Sequence, residues 1–84
     1  MYSLEFTETA KKFLKKISKR DAGIIIDKIS SLKDNPFRFL KRLQGEKLWR
    51  LRIMDYRAVA DVYISLSKII IIRVGHRKNI YDVL

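Results

Sequence analysis

The chain has no cysteine. That excludes disulfide staples, thiolate metal ligands and a cysteine nucleophile, and it fits a cytoplasmic address. It has one histidine, His76, with no cluster of carboxylates around it in sequence. Neither a metal-hydrolase ligand set nor a serine triad is expected from that inventory. Acid is scarce as well: nine Asp or Glu stand against nineteen Lys or Arg, for a net charge of +10. No apolar run approaches membrane-spanning length, and no membrane association is expected. The start, Met1-Tyr2-Ser3-Leu4-Glu5-Phe6, lacks the basic-then-apolar order of a signal peptide. There is no internal repeat and no low-complexity tract.

What is there suits one small domain spanning residues 1–84. Apolar residues make up 48% of the chain, enough for a globular core. The positive charge is unevenly placed. Residues 1–35 carry eight Lys or Arg against five Asp or Glu, and residues 36–84 carry eleven against four. The kind of charge changes too. The first part is rich in lysine, as solvated helix surfaces are. Arg42, Arg50, Arg52, Arg57, Arg73 and Arg77 follow. Arginine grips phosphate oxygens through a planar fork. A strongly basic chain of this kind favours anionic partners.

The pattern predicts β-α-α-β-β-β. Tyr2, Leu4 and Phe6 alternate with Ser3 and Glu5 as in a strand with one buried face. Thr7 is placed to cap a helix in which Ala10, Phe13, Leu14 and Ile17 share a side, with Lys11, Lys12, Lys15 and Lys16 opposite. Ser18 and Asp21 mark a second helix start. Ile25, Ile29 and Leu32 form its apolar stripe, and Asn35-Pro36 ends it. Residues 37–47 read as a basic loop. Trp49-Arg50-Leu51-Arg52-Ile53 alternates strictly. A turn at Met54-Asp55 leads to a strand from Tyr56 to about Ile64. Ser65 to Lys68 turn the chain into a last strand, Ile69 to His76. Short connections make these three strands antiparallel. The fold class is therefore α+β, with an N-terminal helical hairpin packed on one face of a mainly antiparallel sheet. Trp49, Leu51, Ile53, Ala58, Ala60, Val62 and Ile64 are expected on the covered face. Arg50, Arg52 and Arg57 are expected on the uncovered one. Arg73 and Arg77 share a parity, and if it faces outward, five arginines line that face.

The end of the chain is the densest in chemistry. Arg73-Val74-Gly75-His76-Arg77-Lys78-Asn79-Ile80-Tyr81 places three basic groups, an imidazole and a phenol within nine positions. Arginine stabilises anionic charge, and histidine and tyrosine can move protons. That combination suits a phosphodiester.

Three segments, Leu43-Gln44-Gly45 with Trp49 to Ile53, Asp55-Tyr56-Arg57, and Val74 to Tyr81, appear in order. With them the whole chain resembles the RelE/ParE toxin superfamily, and within it looks most like archaeal RelE-like mRNA interferase toxins. The resemblance implies a toxin of a type II toxin–antitoxin system. It implies a metal-independent endoribonuclease that cuts messenger RNA in the ribosome and so inhibits translation. There the RNA's own 2′-hydroxyl attacks the adjacent phosphate, leaving a cyclic phosphate and a 5′-hydroxyl. No cofactor is implied. Arg50, Arg52, Arg57, Arg77 and Tyr81 match the family's catalytic positions. Lys41, Arg42, Lys47, Arg73, His76 and Lys78 are candidates for RNA binding. The implied partners are the ribosome with its mRNA and a RelB-like antitoxin, expected to be acidic and to fold on binding. Operon DNA would be met only through the antitoxin complex. One departure is visible. The best-known RelE enzymes carry lysines where this chain has Arg50 and Arg52. Arginine stays charged, so these two can clamp phosphate but not act as a base. Two other readings remain open: a ParE-like inhibitor of DNA gyrase, and a basic RNA- or ribosome-binding module without catalysis.

Overall fold

The computed structural model describes residues 1–43, 45 and 47–78. The elements are β1 (Ser3–Phe6), α1 (Glu8–Lys16), α2 (Lys19–Ser30), β2 (Lys41–Arg42), β3 (Trp49–Ile53), β4 (Tyr56–Tyr63) and β5 (Lys68–His76). Two short 3-10 turns, Ser31–Lys33 and Pro36–Arg38, lead from α2 to β2. The five strands form one sheet in the order β1-β5-β4-β3-β2. β1 pairs parallel with β5, and the other neighbours pair antiparallel.

Both predicted helix starts form. The Thr7 side chain accepts from Ala10 N at 3.2 Å, and that of Ser18 accepts from Asp21 N at 3.1 Å. Each cap satisfies a donor that the first helical turn leaves open. The helices bury Ala10, Ile25 and Ile29 against Leu51, Ile53, Tyr56, Ala58, Ala60, Ile69, Ile71 and Val74. All of this core lies on one side of the sheet. No described helix is long and apolar enough to cross a membrane.

The structure corrects two expectations, for the basic loop and for Ile64, and adds two features. The basic loop contains β2, which adds an edge strand through Lys41 opposite Arg50 and Arg42 opposite Trp49. Ile64 was expected to be covered. It lies in the β4–β5 turn and is 65% exposed. Val59 shares a face with the arginines, yet it is fully buried. It sits between Arg50 and Arg73 in register, and long arginine stems cover apolar surface well. The second added feature is a bulge. Val59 pairs with Arg73 but Ala60 pairs with Ile71, so Ile72 is the extra residue. The bulge reverses the alternation of β5. Ile69 and Ile71 face the helices before it, and Val74 faces them after it.

A basic sheet face with a cleft at its end

The register sorts the basic residues into two rows on the face away from the described helices. Residues directly opposite in antiparallel strands share a face. One row runs Lys41, Arg50, Val59, Arg73 across β2, β3, β4 and β5. The other runs Arg52, Arg57, Gly75 across β3, β4 and β5. The two rows lie two residues apart along the strands, roughly 7 Å. Alternation continued past β5 puts Arg77 on the same side. The backbone N–H of Arg77 donates to Asp55 O at 2.8 Å, tying that end to the β3–β4 turn.

The side chains in these rows are not equally available. Arg52 and Arg77 are exposed, and Arg50 and Arg73 are half-buried. Arg57, expected on the open surface, is only 4% exposed. Its Nη1 donates to the carbonyl oxygen of Tyr56 at 3.0 Å. It occupies the centre of its row, opposite a glycine that offers no side chain to push it outward. Arg52 also lines a cleft of about 600 Å³ with Ile24, Asp27 and Lys28 of α2. It therefore lies at the sheet's rim.

Beside the turn, Asp55, His76, Arg77 and Lys78 line a second cleft of about 490 Å³. This brings together three of the predicted residues and Asp55, which the sequence marked as a turn residue and not as a site residue. The imidazole of His76 is exposed and lies 5.0 Å from the Tyr56 ring and 5.6 Å from the Phe13 ring, centroid to centroid. Tyr56 in turn donates its hydroxyl proton to Asp21 Oδ2 at 2.8 Å. That hydrogen bond, with burial and the charges of Asp21 and Asp55, pushes the phenol above its ordinary pKa. Tyr56 thus keeps its proton to higher pH than a free phenol does, and its ring is a wall behind the imidazole.

The remaining predicted residues are dispersed. Arg42 pairs with Trp49, and its guanidinium lies 5.1 Å from the indole centroid, on the side opposite Lys41. Lys47 is exposed just before β3. Tyr81 lies outside the described residues. Asp21, marked in the sequence only as a helix-start residue, has its partner Tyr56 35 positions away. No local pattern signals such a contact.

The sequence pattern of a family described as the ParE toxin of type II toxin–antitoxin systems matches residues 4–81. The chain belongs to this toxin family. Solved structures similar to it include RelE toxins. The toxin–antitoxin complex RelBE2 from Mycobacterium tuberculosis contains one that is 28% identical, with a TM-score of 0.82 over 90% of this chain and 98% of that one. The RelB–RelE complex from Methanococcus jannaschii contains another, 28% identical, with a TM-score of 0.73 over 95% and 98%. The archaeal RelE–RelB complex of Pyrococcus horikoshii shares the fold at 22% identity, with a TM-score of 0.80 over 93% and 97%. No curated protein matches the chain by sequence. The chain is a RelE/ParE-like toxin of the type II class, and its helical hairpin on a five-stranded mixed sheet is the fold of RelE toxins.

Proposed function

We propose that this toxin is a cytoplasmic, metal-independent endoribonuclease that cuts messenger RNA on the ribosome and is neutralised by a RelB-like antitoxin. The observation that carries the reading is a basic sheet face with the Asp55–His76–Arg77 cleft at its end. RNA cleavage by its own 2′-hydroxyl needs that oxygen aligned with the phosphate, charge stabilisation at the phosphate, and proton transfer at both ends. In this reading the exposed guanidiniums of Arg52 and Arg77 grip the scissile phosphate. Arg50 and Arg73 hold its neighbours. Arg57, buried, positions the Tyr56 backbone at the start of β4 instead of touching RNA. His76 and Tyr81 are the candidates for proton transfer. The antitoxin partner is proposed from the RelB–RelE complexes among the structural relatives. Its charge is proposed from the need to match an uncompensated basic face.

The family description names a ParE toxin, and the second reading is therefore a ParE-like gyrase inhibitor. One experiment separates the two. The toxin is induced in cells, new mRNA 5′ ends are mapped, and DNA breaks are scored in parallel. Cuts confined to translated frames support the nuclease. DNA damage without mRNA cuts supports the gyrase reading and overturns the proposal. Tyr81→Phe and His76→Ala then assign the base. Loss of the proton-transfer group should slow single-turnover cleavage by about 10²-fold with ribosome binding retained.

A further inference from the structure

The row Lys41–Arg50–Val59–Arg73 does not stop at the sheet's edge. β1 pairs with Lys68 to Ile71, and among the described strands none pairs with β5 on that side from Ile72 onward. α1 runs along this open edge instead. There Thr9, Lys12, Phe13 and Lys16 of α1 meet Arg73 and Val74 of β5 around a cleft of about 220 Å³. Three cations thus converge on one small cavity beside the hydroxyl-bearing Thr9. Lys12 and Lys16 are one helical turn apart, so their ammonium groups project together. Among the described residues, no carboxylate forms an ion pair with Lys12, Lys16 or Arg73. The neighbouring Lys11, by contrast, is paired with Glu8 at 3.4 Å.

We infer that this cleft is a phosphate-binding subsite for an RNA backbone, lying outside the proposed cleavage site and continuous with the basic row. Arg73 belongs to both the row and the cleft, so one strand can pass from Lys41 to Lys12 without leaving positive surface. From β2 to β5 that path is three strand spacings, roughly 14 Å, with the α1 lysines beyond. Contacts of this kind fix position and register and carry no sequence information. The inference deepens the ribosomal reading above by naming where the backbone is held. It concerns binding, so its test does not depend on cutting.

The test compares two doubly substituted toxins of equal charge. Lys12→Gln with Lys16→Gln empties the cleft of its helix cations. Lys11→Gln with Lys15→Gln removes the same charge from the adjoining side of α1. All four side chains are exposed, so both proteins should fold. Affinity is measured against salt for two probes, a short single-stranded RNA and vacant ribosomes. Loss of one phosphate contact should lower the slope of log affinity on log salt by about 0.7 to 0.9. That drop in the Lys12/Lys16 protein alone supports the subsite. If it is seen with the free RNA, the strand held is messenger. If it is seen only with vacant ribosomes, the strand held is ribosomal. Equal drops in both proteins mean a general field and overturn the subsite. So does an unchanged slope with both probes. A wild-type toxin that cuts no mRNA yet gives the Lys12/Lys16-specific drop would retire the nuclease reading and leave the subsite standing.

Discussion

Two arginines of the same face illustrate how position decides role. Arg57 is buried and bonded to a backbone carbonyl, whereas Arg77 is exposed at the mouth of a cleft. Arg57→Ala should cost about 1.5–3 kcal/mol, the usual worth of a hydrogen bond from a charged group. In a domain this small that is a drop in Tm of about 4–8 °C for each kcal/mol. Arg77→Ala should leave urea unfolding nearly unchanged, because an exposed side chain contributes little to the core. Its toxicity should nonetheless disappear, since losing one such donor typically costs about 10²–10³ in rate. If Arg77→Ala stays toxic, the cleft is not where the phosphate is held. The neighbouring phenol allows a pH test. The hydrogen bond to Asp21 raises the pKa of Tyr56 in the folded state. The folded protein therefore keeps a proton that the unfolded chain gives up above about pH 10. This contribution is complete below that pH and is lost as pH rises toward the folded-state value. Tyr56→Phe should remove that part of the alkaline decline in the urea midpoint. Identical pH curves for the two proteins would show that the bond to Asp21 carries no linkage.

At the scale of elements, the bulge in β5 determines where the chemistry points. The run Ile69 to Ile72 is equally apolar on both parities, so the sequence carries no mark of which isoleucine is extra. Strict alternation from the buried Ile69 and Ile71 would carry Arg73 to the helix side. The bulge at Ile72 moves it to the arginine face instead. The device that holds the bulge is Thr7. Its hydroxyl donates to the carbonyl oxygen of Ile72 at 2.6 Å while accepting from Ala10 N. One side chain thus caps α1 and secures the irregular residue of a strand 65 positions away. Thr7→Ala should destabilise by about 1–2 kcal/mol, and Thr7→Ser, which keeps both bonds, should recover most of that. A Thr7→Ser protein as unstable as Thr7→Ala would assign the effect to the lost methyl group. The contrast explains what was legible in advance. The caps at Thr7 and Ser18, the Trp49–Ile53 alternation and the antiparallel hairpins are local patterns, and each can be read from the sequence. The parallel pairing of β1 with β5, the two-residue β2, the burial of Arg57 and the Tyr56–Asp21 bond depend on contacts far apart in sequence. The basic rows were half legible: their residue types were visible, but their register was not.

For the whole molecule, charge sets two opposed responses to salt. A net charge of +10 on 84 residues strains the compact state by self-repulsion. The described ion pairs relieve little of it, being the contacts Lys11–Glu8, Arg20–Asp21 and Lys68–Glu5, none of them buried. Salt shortens the reach of that repulsion, from about 30 Å at 0.01 M to about 8 Å at 0.15 M. Tm should therefore rise over this range, by several degrees if about 1 kcal/mol of repulsion is screened. RNA affinity should fall steeply over the same range, because the cations that repel one another are the ones that displace counterions from phosphate. An acidic partner segment acts on the same energy. It removes the repulsion by neutralising it, so its stabilisation of the toxin should be largest at low salt and shrink as salt rises. Thermal unfolding of the toxin alone and with a saturating acidic antitoxin peptide, across the salt series, measures both effects. A toxin whose Tm is flat in salt carries no significant self-repulsion. A peptide whose stabilisation is equally flat is held by apolar contacts, and its acidity would then have no part in neutralising the toxin.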